Sequence, residues 1–245
     1  MIREEGESAT CSTIPSNVIR NSARAAGICY LLHFIVGAVA LFASSKIIVR
    51  GDAAATANNL LLHQSLWRTG SMAHLLVPLT YVAVTALLYI TFRHVNRTIS
   101  VLAACFSLAG CAVLSAAWIF YSYPLSLLNA APLSGFSVEQ TQALGVTLIR
   151  MHNQAFNSSM VFFGCYCILL GFLVYRSGML PRTIGLLLGF AGLAWLTFLF
   201  PAVVSTLSPY VLLPGFAGEG SLTLWLLFRR PTLLRPPATT SESLS

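Results

Sequence analysis

Six separate stretches of this chain are long, apolar and almost free of charge, and that alone limits how it can fold. They run roughly from Ala25 to Ser45, Ser71 to Phe92, Ile99 to Tyr121, Asn153 to Tyr175, Thr183 to Ser205 and Tyr210 to Phe228. Each is close to the ~20 residues that a helix needs to cross ~30 Å of hydrocarbon. In hydrocarbon the backbone is satisfied only within helices or closed barrels. The runs are continuous rather than alternating, which argues against the dyad pattern of barrel strands. The expectation is an all-α integral membrane bundle of six transmembrane helices.

Composition agrees. Only 9% of the 245 residues are charged, against about 25% in an ordinary soluble domain. Disorder is excluded as well, because disordered chains are polar and poor in aromatics, and here 11% are Phe, Trp or Tyr. The net charge of +7 does not indicate a nucleic-acid partner, which would require the basic residues to cluster on one soluble face. They are instead distributed by topology. The tails and the even-numbered loops hold Arg3, Arg20, Arg24, Arg93, Arg97, Arg176, Arg182, Arg229, Arg230 and Arg235, while the other side holds Lys46, Arg50, Arg68 and Arg150. By the positive-inside rule both termini are expected in the cytoplasm, with the protein multi-pass in the inner (plasma) membrane and lipids as its surroundings.

The domain organisation follows: a disordered cytoplasmic tail over 1–22, the six-helix domain over 23–230, and a second disordered tail over 231–245. Glu4, Glu5 and Glu7 in the leading tail, with the length of the first run, favour a retained span over a cleaved signal peptide. Two outer loops have structure of their own. Asp52 is placed to cap a short helix reaching Arg68, expected to lie on the membrane surface with Trp67 at the interface. Ser137 and Gln140 have capping-box spacing. A continuous helix from Ser137 to Tyr175 would measure about 58 Å, so a kink or break is expected near Arg150. The cysteines read as small apolar filler.

The ordered segments resemble a known family. They are Arg24-Ala25-Ala26-Gly27 with Tyr30, Gly51 to Asn58, Leu66-Trp67-Arg68, Leu88-Tyr89 with Val95-Asn96-Arg97, Phe162-Phe163-Gly164, Gly171 to Gly178, Leu180-Pro181-Arg182 with Gly185, Gly218-Glu219 and Leu224 to Leu227. In this order the chain resembles the domain-of-unknown-function family numbered 4386, bacterial multi-pass membrane proteins without an established activity. The resemblance spans about residues 20 to 230 and implies a six-span helical fold. The chain departs from the family's pattern in the third span, with Ser107 and Gly110 where many members carry Arg and Glu. In the fourth span it has Tyr166 where members often have His.

Glu219 is the only acidic residue within an expected span, and it sits in a glycine-rich stretch that is a poor helix former. A charge at mid-membrane costs roughly 2.5 to 3.5 kcal/mol on insertion scales and usually faces a partner inside the bundle. His33 shares its depth, so the two are expected to pair directly or through water, as a proton relay or as interhelical glue. A second set gathers at the outer mouth: Asp52, Asn58, His63, Arg68, His74, Arg150, His152, Asn153 and Asn157, with Tyr166 on the face of His152. These could bind a small polar or anionic ligand. No metal or other cofactor is expected, since no two histidines have ligand spacing. There is no nucleophile elbow or metalloprotease motif, so no catalytic residue is assigned. Gly185, Gly189 and Gly192 allow close helix approach, within the bundle or in a homo-oligomer. The leading reading is a non-catalytic structural or regulatory membrane protein. The alternatives are a transporter of a proton or small polar solute centred on Glu219 and a broken sixth span, and a lipid-acting enzyme at the outer histidines.

Overall fold

The computed structural model describes residues 16–130, 135–207 and 210–229. The described residues form eight α-helices: α1 Ser16–Ile47, α2 Ala53–Leu62, α3 Gln64–Phe92, α4 Arg97–Asn129, α5 Val138–Ser177, α6 Arg182–Leu196, α7 Pro201–Leu207 and α8 Leu213–Phe228. Short 3-10 turns at Thr197–Leu199 and Tyr210–Leu212 extend α6 and lead into α8. Six of these segments are long and apolar enough to cross a membrane. The chain is a multi-pass membrane protein. Most of the expected tails, 1–15 and 230–245, lies outside the described residues, while 16–22 is already helical in α1.

Each span packs against the next in sequence, and α8 returns to α1, so the spans close into a ring. α5 is the most deeply buried of them. Large apolar side chains such as Ile28, Phe42, Leu186 and Phe190 face outwards, each more than half exposed. In water such a surface would be a liability; in lipid it is the solvated face. One end of the ring carries the tight turns 93–96 and 178–181 (the short-loop end). The other carries α2 and the connection to α5 (the long-loop end).

Local chemistry explains the helix starts. Asp52 caps α2, its carboxylate accepting from the Ala55 N–H at 2.8 Å. Asn96 caps α4 through the Ile99 N–H at 3.0 Å. At Ser137 both halves of the capping box form with Gln140. α5 then runs 40 residues without interruption, so the break expected near Arg150 does not occur. Its outer part is packed against α2 and α4, which removes the need to fit the whole helix into hydrocarbon. The loop helix differs too. It ends at His63, and Trp67 belongs to α3, where it is 1% exposed and stacked on Tyr121 at 4.2 Å between ring centroids. Trp67 is thus a core residue rather than an interfacial anchor.

Of the three α6 glycines, Gly185 and Gly192 face α5, while Gly189 meets nothing within 4 Å. A Cβ on Gly171 would stand 2.6 Å from the Gly185 carbonyl oxygen, and one on Gly192 would stand 2.6 Å from that of Gly164. α5 and α6 therefore meet backbone to backbone, and this glycine stripe serves contact within the bundle. The glycines around Glu219 likewise mark packing. Gly215 lies against the Trp195 ring and Gly218 against Ala191 and Leu187. α8 is continuous through Glu219, which corrects the expectation of a broken sixth span. Tertiary packing outweighs the roughly 1 kcal/mol per glycine of lost helix propensity.

Candidate functional site

Glu219 enters the bundle from α8 and is 7% exposed. Its Oε1 accepts from the Tyr81 hydroxyl at 3.2 Å and from the Cys167 thiol at 3.3 Å. The Tyr81 hydroxyl is also 3.2 Å from that of Tyr30. α1, α3, α5 and α8 thereby each place one side chain in a single hydrogen-bonded chain. Trp195 from α6 and Tyr166 from α5 border it, and among the described residues no cation acts on the carboxyl. The indole N–H of Trp195 and the hydroxyl of Tyr166 are buried there with no partner within 3.5 Å, the first approaching Glu219 and Cys167 and the second Tyr30 from beyond that distance.

His33 does not bond to Glu219. Its Nδ1–H donates to the Val77 carbonyl at 3.2 Å, with the Thr80 hydroxyl at 3.3 Å. Its ring nevertheless packs on that of Tyr81 at 4.9 Å, so Tyr81 stands between the two residues that the sequence pairs. The expected direct partner is replaced by a tyrosine one turn further along α3.

The outer set is brought together only in part. His74 and His152 meet edge to face at 4.9 Å, and Tyr121 packs on both. His152 is buried, its Nδ1–H donating to the Ala117 carbonyl at 3.1 Å. Ser44 Oγ donates to the Ala40 carbonyl at 2.9 Å and lies 3.1 Å from His74 Nε2 and 2.9 Å from the Tyr121 hydroxyl. Ser44, His74 and Tyr121 thus form a satisfied polar knot. Asp52 is occupied as a helix cap. Arg68, Arg150 and Asn153 are exposed, Asn157 is half-buried, and His63 is exposed at the α2–α3 junction. Tyr166 shares a face with His152 but lies about 21 Å further along α5, in the Glu219 cluster. Among the described residues no three His, Cys, Asp or Glu side chains gather as a metal site would require.

Sequence reasoning missed Tyr30, Tyr81, Cys167 and Trp195 beside Glu219, and Ser44 and Tyr121 beside the histidines. Cys167 is a thiol donor to Glu219 rather than filler, and Cys165, two residues away, is only half-buried. Where the chain departs from the family's pattern, the structure is filled by neutral contacts. The Ser107 hydroxyl bonds to that of Thr85 at 2.6 Å, and Gly110 abuts the Phe163 ring.

No curated protein and no solved structure matches this chain. The family model for a domain of unknown function, DUF4386, matches residues 25–229, which takes in all six spans. The chain belongs to that family.

Proposed function

We propose that the protein acts without catalysis, as a structural or regulatory bundle in the plasma membrane, with Glu219 as the residue that ties its helices together. The observation that carries this reading is the uncharged shell of Glu219: a phenol from α3 and a thiol from α5 donate to one carboxyl oxygen on α8. Such a shell suits an interhelical clamp. In this reading both termini are cytoplasmic, α2 lies at the outer interface, and lipids cover the outward apolar faces. The test compares Glu219→Gln with Glu219→Leu in detergent and in nanodiscs. Gln keeps an acceptor oxygen and retains the fold, whereas Leu lowers the melting temperature. Equal melting temperatures for the two variants would refute the clamp.

The chain of proton-bearing groups Tyr30, Tyr81, Glu219 and Cys167 favours a second reading, a carrier of protons or of a small polar solute. Its test is flux into proteoliposomes. In a carrier, Glu219→Gln abolishes flux while the fold survives; in a clamp, wild type and variant are equally silent.

A further inference from the structure

Between α3, α4 and α5, the short-loop half of the bundle contains a narrow crevice, open at its mouth, whose interior has room for about one water at a time. Most of its wall is apolar, with Leu88, Leu170 and Leu173 among the lining residues. Two groups on it are out of keeping with that wall. Ser100 and Tyr166 are each 2% exposed, and neither hydroxyl has a partner within 3.5 Å, the Tyr30 side chain approaching that of Tyr166 from beyond this distance.

The two hydroxyl-bearing residues stand at different depths. By helical rise, Ser100 lies about 5 Å from the start of α4, whereas Tyr166 lies about 16 Å from the end of α5. Thr85, also on the wall, is about 10 Å from the end of α3. The crevice therefore leads from near the short-loop end to Tyr166. The ring of Tyr166 is 5.8 Å from that of Tyr81, which holds Glu219.

Native interiors rarely leave buried hydroxyls bare. Groups of this kind, when they share a space, are those that ordered water serves. We propose that the crevice is a hydrated inlet that brings water from the short-loop end to Tyr166, at the edge of the Glu219 cluster. The lining offers hydroxyls and no charged group, which suits water and gives an ion or a phosphate nothing to bind. The inference goes beyond both readings above, since water enters the crevice whether or not anything crosses the bundle.

Hydroxyl-radical footprinting of the full chain in lipid nanodiscs tests it, with mass spectrometry locating the oxidised side chains. Tyr166 is expected to be oxidised, while Tyr30 and Tyr81, which do not line the crevice, stay unmodified. Ala103→Leu fills the wall and is expected to suppress oxidation of Tyr166 severalfold. Ala104→Leu, half-buried on the same wall, makes the same test should the first variant fold poorly. A silent Tyr166 in the wild type, or oxidation unchanged in the filled variants, overturns the inlet. Tyr166→Phe supplies a second readout. A water-served hydroxyl makes the variant no more stable than the wild type, and a clear rise in melting temperature overturns the proposal.

Discussion

Removing the Tyr81 hydroxyl is the sharpest test of the Glu219 cluster. Tyr81→Phe deletes one oxygen and two bonds, one to Tyr30 and one to Glu219, both 3.2 Å long. Hydroxyl bonds usually measure about 2.7–2.8 Å, so each is on the weak side. Interhelical hydrogen bonds in membranes average roughly 0.6 kcal/mol and reach about 1.7, which gives about 1–2 kcal/mol for the pair. The Tyr30 hydroxyl, in a residue 0% exposed, then loses its partner. An orphaned buried group costs about 1–3 kcal/mol. The sum is a loss of about 2–5 kcal/mol, read by SDS-titrated unfolding in mixed micelles. Tyr89→Phe, half-buried on the crevice wall, serves as the control, expected within about 0.5 kcal/mol of wild type. A double-mutant cycle with Glu219→Leu isolates the Tyr81–Glu219 bond and is expected to show coupling of about 0.6 kcal/mol or more. Additive effects, or a Tyr81→Phe variant as stable as the control, refute the bonded cluster.

The remaining predictions concern packing and caps. Gly171→Ala puts a Cβ against the backbone of α6, which cannot yield as a side chain can, and is expected to cost about 1–3 kcal/mol. Gly37→Ala, which meets nothing within 4 Å, should be neutral or stabilising by up to about 1 kcal/mol on helix propensity; thermal unfolding of the two variants checks the contrast. Asp52→Ala removes the cap of α2 and should cost about 1 kcal/mol, seen as faster amide exchange over 53–62 with little change in the spans. Tyr121→Phe removes the bond to Ser44 while keeping the stack on Trp67, and should lower stability by about 1 kcal/mol without loss of the folded peak on size exclusion.

What could be read from the sequence was local. The six runs, the Asp52 cap and the Ser137 capping box depend on residues within a few positions of one another; both caps form and each run holds a spanning helix, although the fifth ends at Leu199 rather than at Ser205, with α7 following separately. Glu219 stood out because hydropathy makes a lone intramembrane acid conspicuous. Its partners did not, because a phenol or a thiol in an apolar run carries no such signal. Which helices adjoin is also absent from a hydropathy profile. α8 closes on α1, yet Glu219 reaches across the interior to Tyr81 on α3 rather than to His33 on α1. The same gap explains Trp67. An indole after a polar loop suits an interface, and only the position of Tyr121 on α4 reveals that it is core.

The two polar clusters nevertheless share a pattern in the sequence, at a spacing of seven. On α1, Tyr30 and Ser44 are fourteen residues apart; on α3, His74 and Tyr81 are seven apart; on α5, His152, Ser159 and Tyr166 repeat at seven; on α4, Ser100, Ser107 and Tyr121 fall on the same register. A straight helix drifts only ~20° per heptad, so each set stays on one face. Of these ten, Ser44 and His74 are half-buried and the other eight are buried. The outward faces of the same helices carry the large exposed aliphatic residues. The runs are therefore amphipathic in the sense a membrane requires, with hydroxyls and imidazoles turned inward and hydrocarbon turned out. Averaging over a window hides this, because it counts Ser, Tyr and Gly as weak dilution of an apolar run. Read at a period of seven, those residues form a seam along the bundle interior, with the histidine cluster towards the long-loop end and the Glu219 cluster nearer the other. Because α1, α3 and α5 contribute to both clusters, a shift of any one of these helices would be felt in both. That shared framework gives the bundle a physical means of linking its two ends.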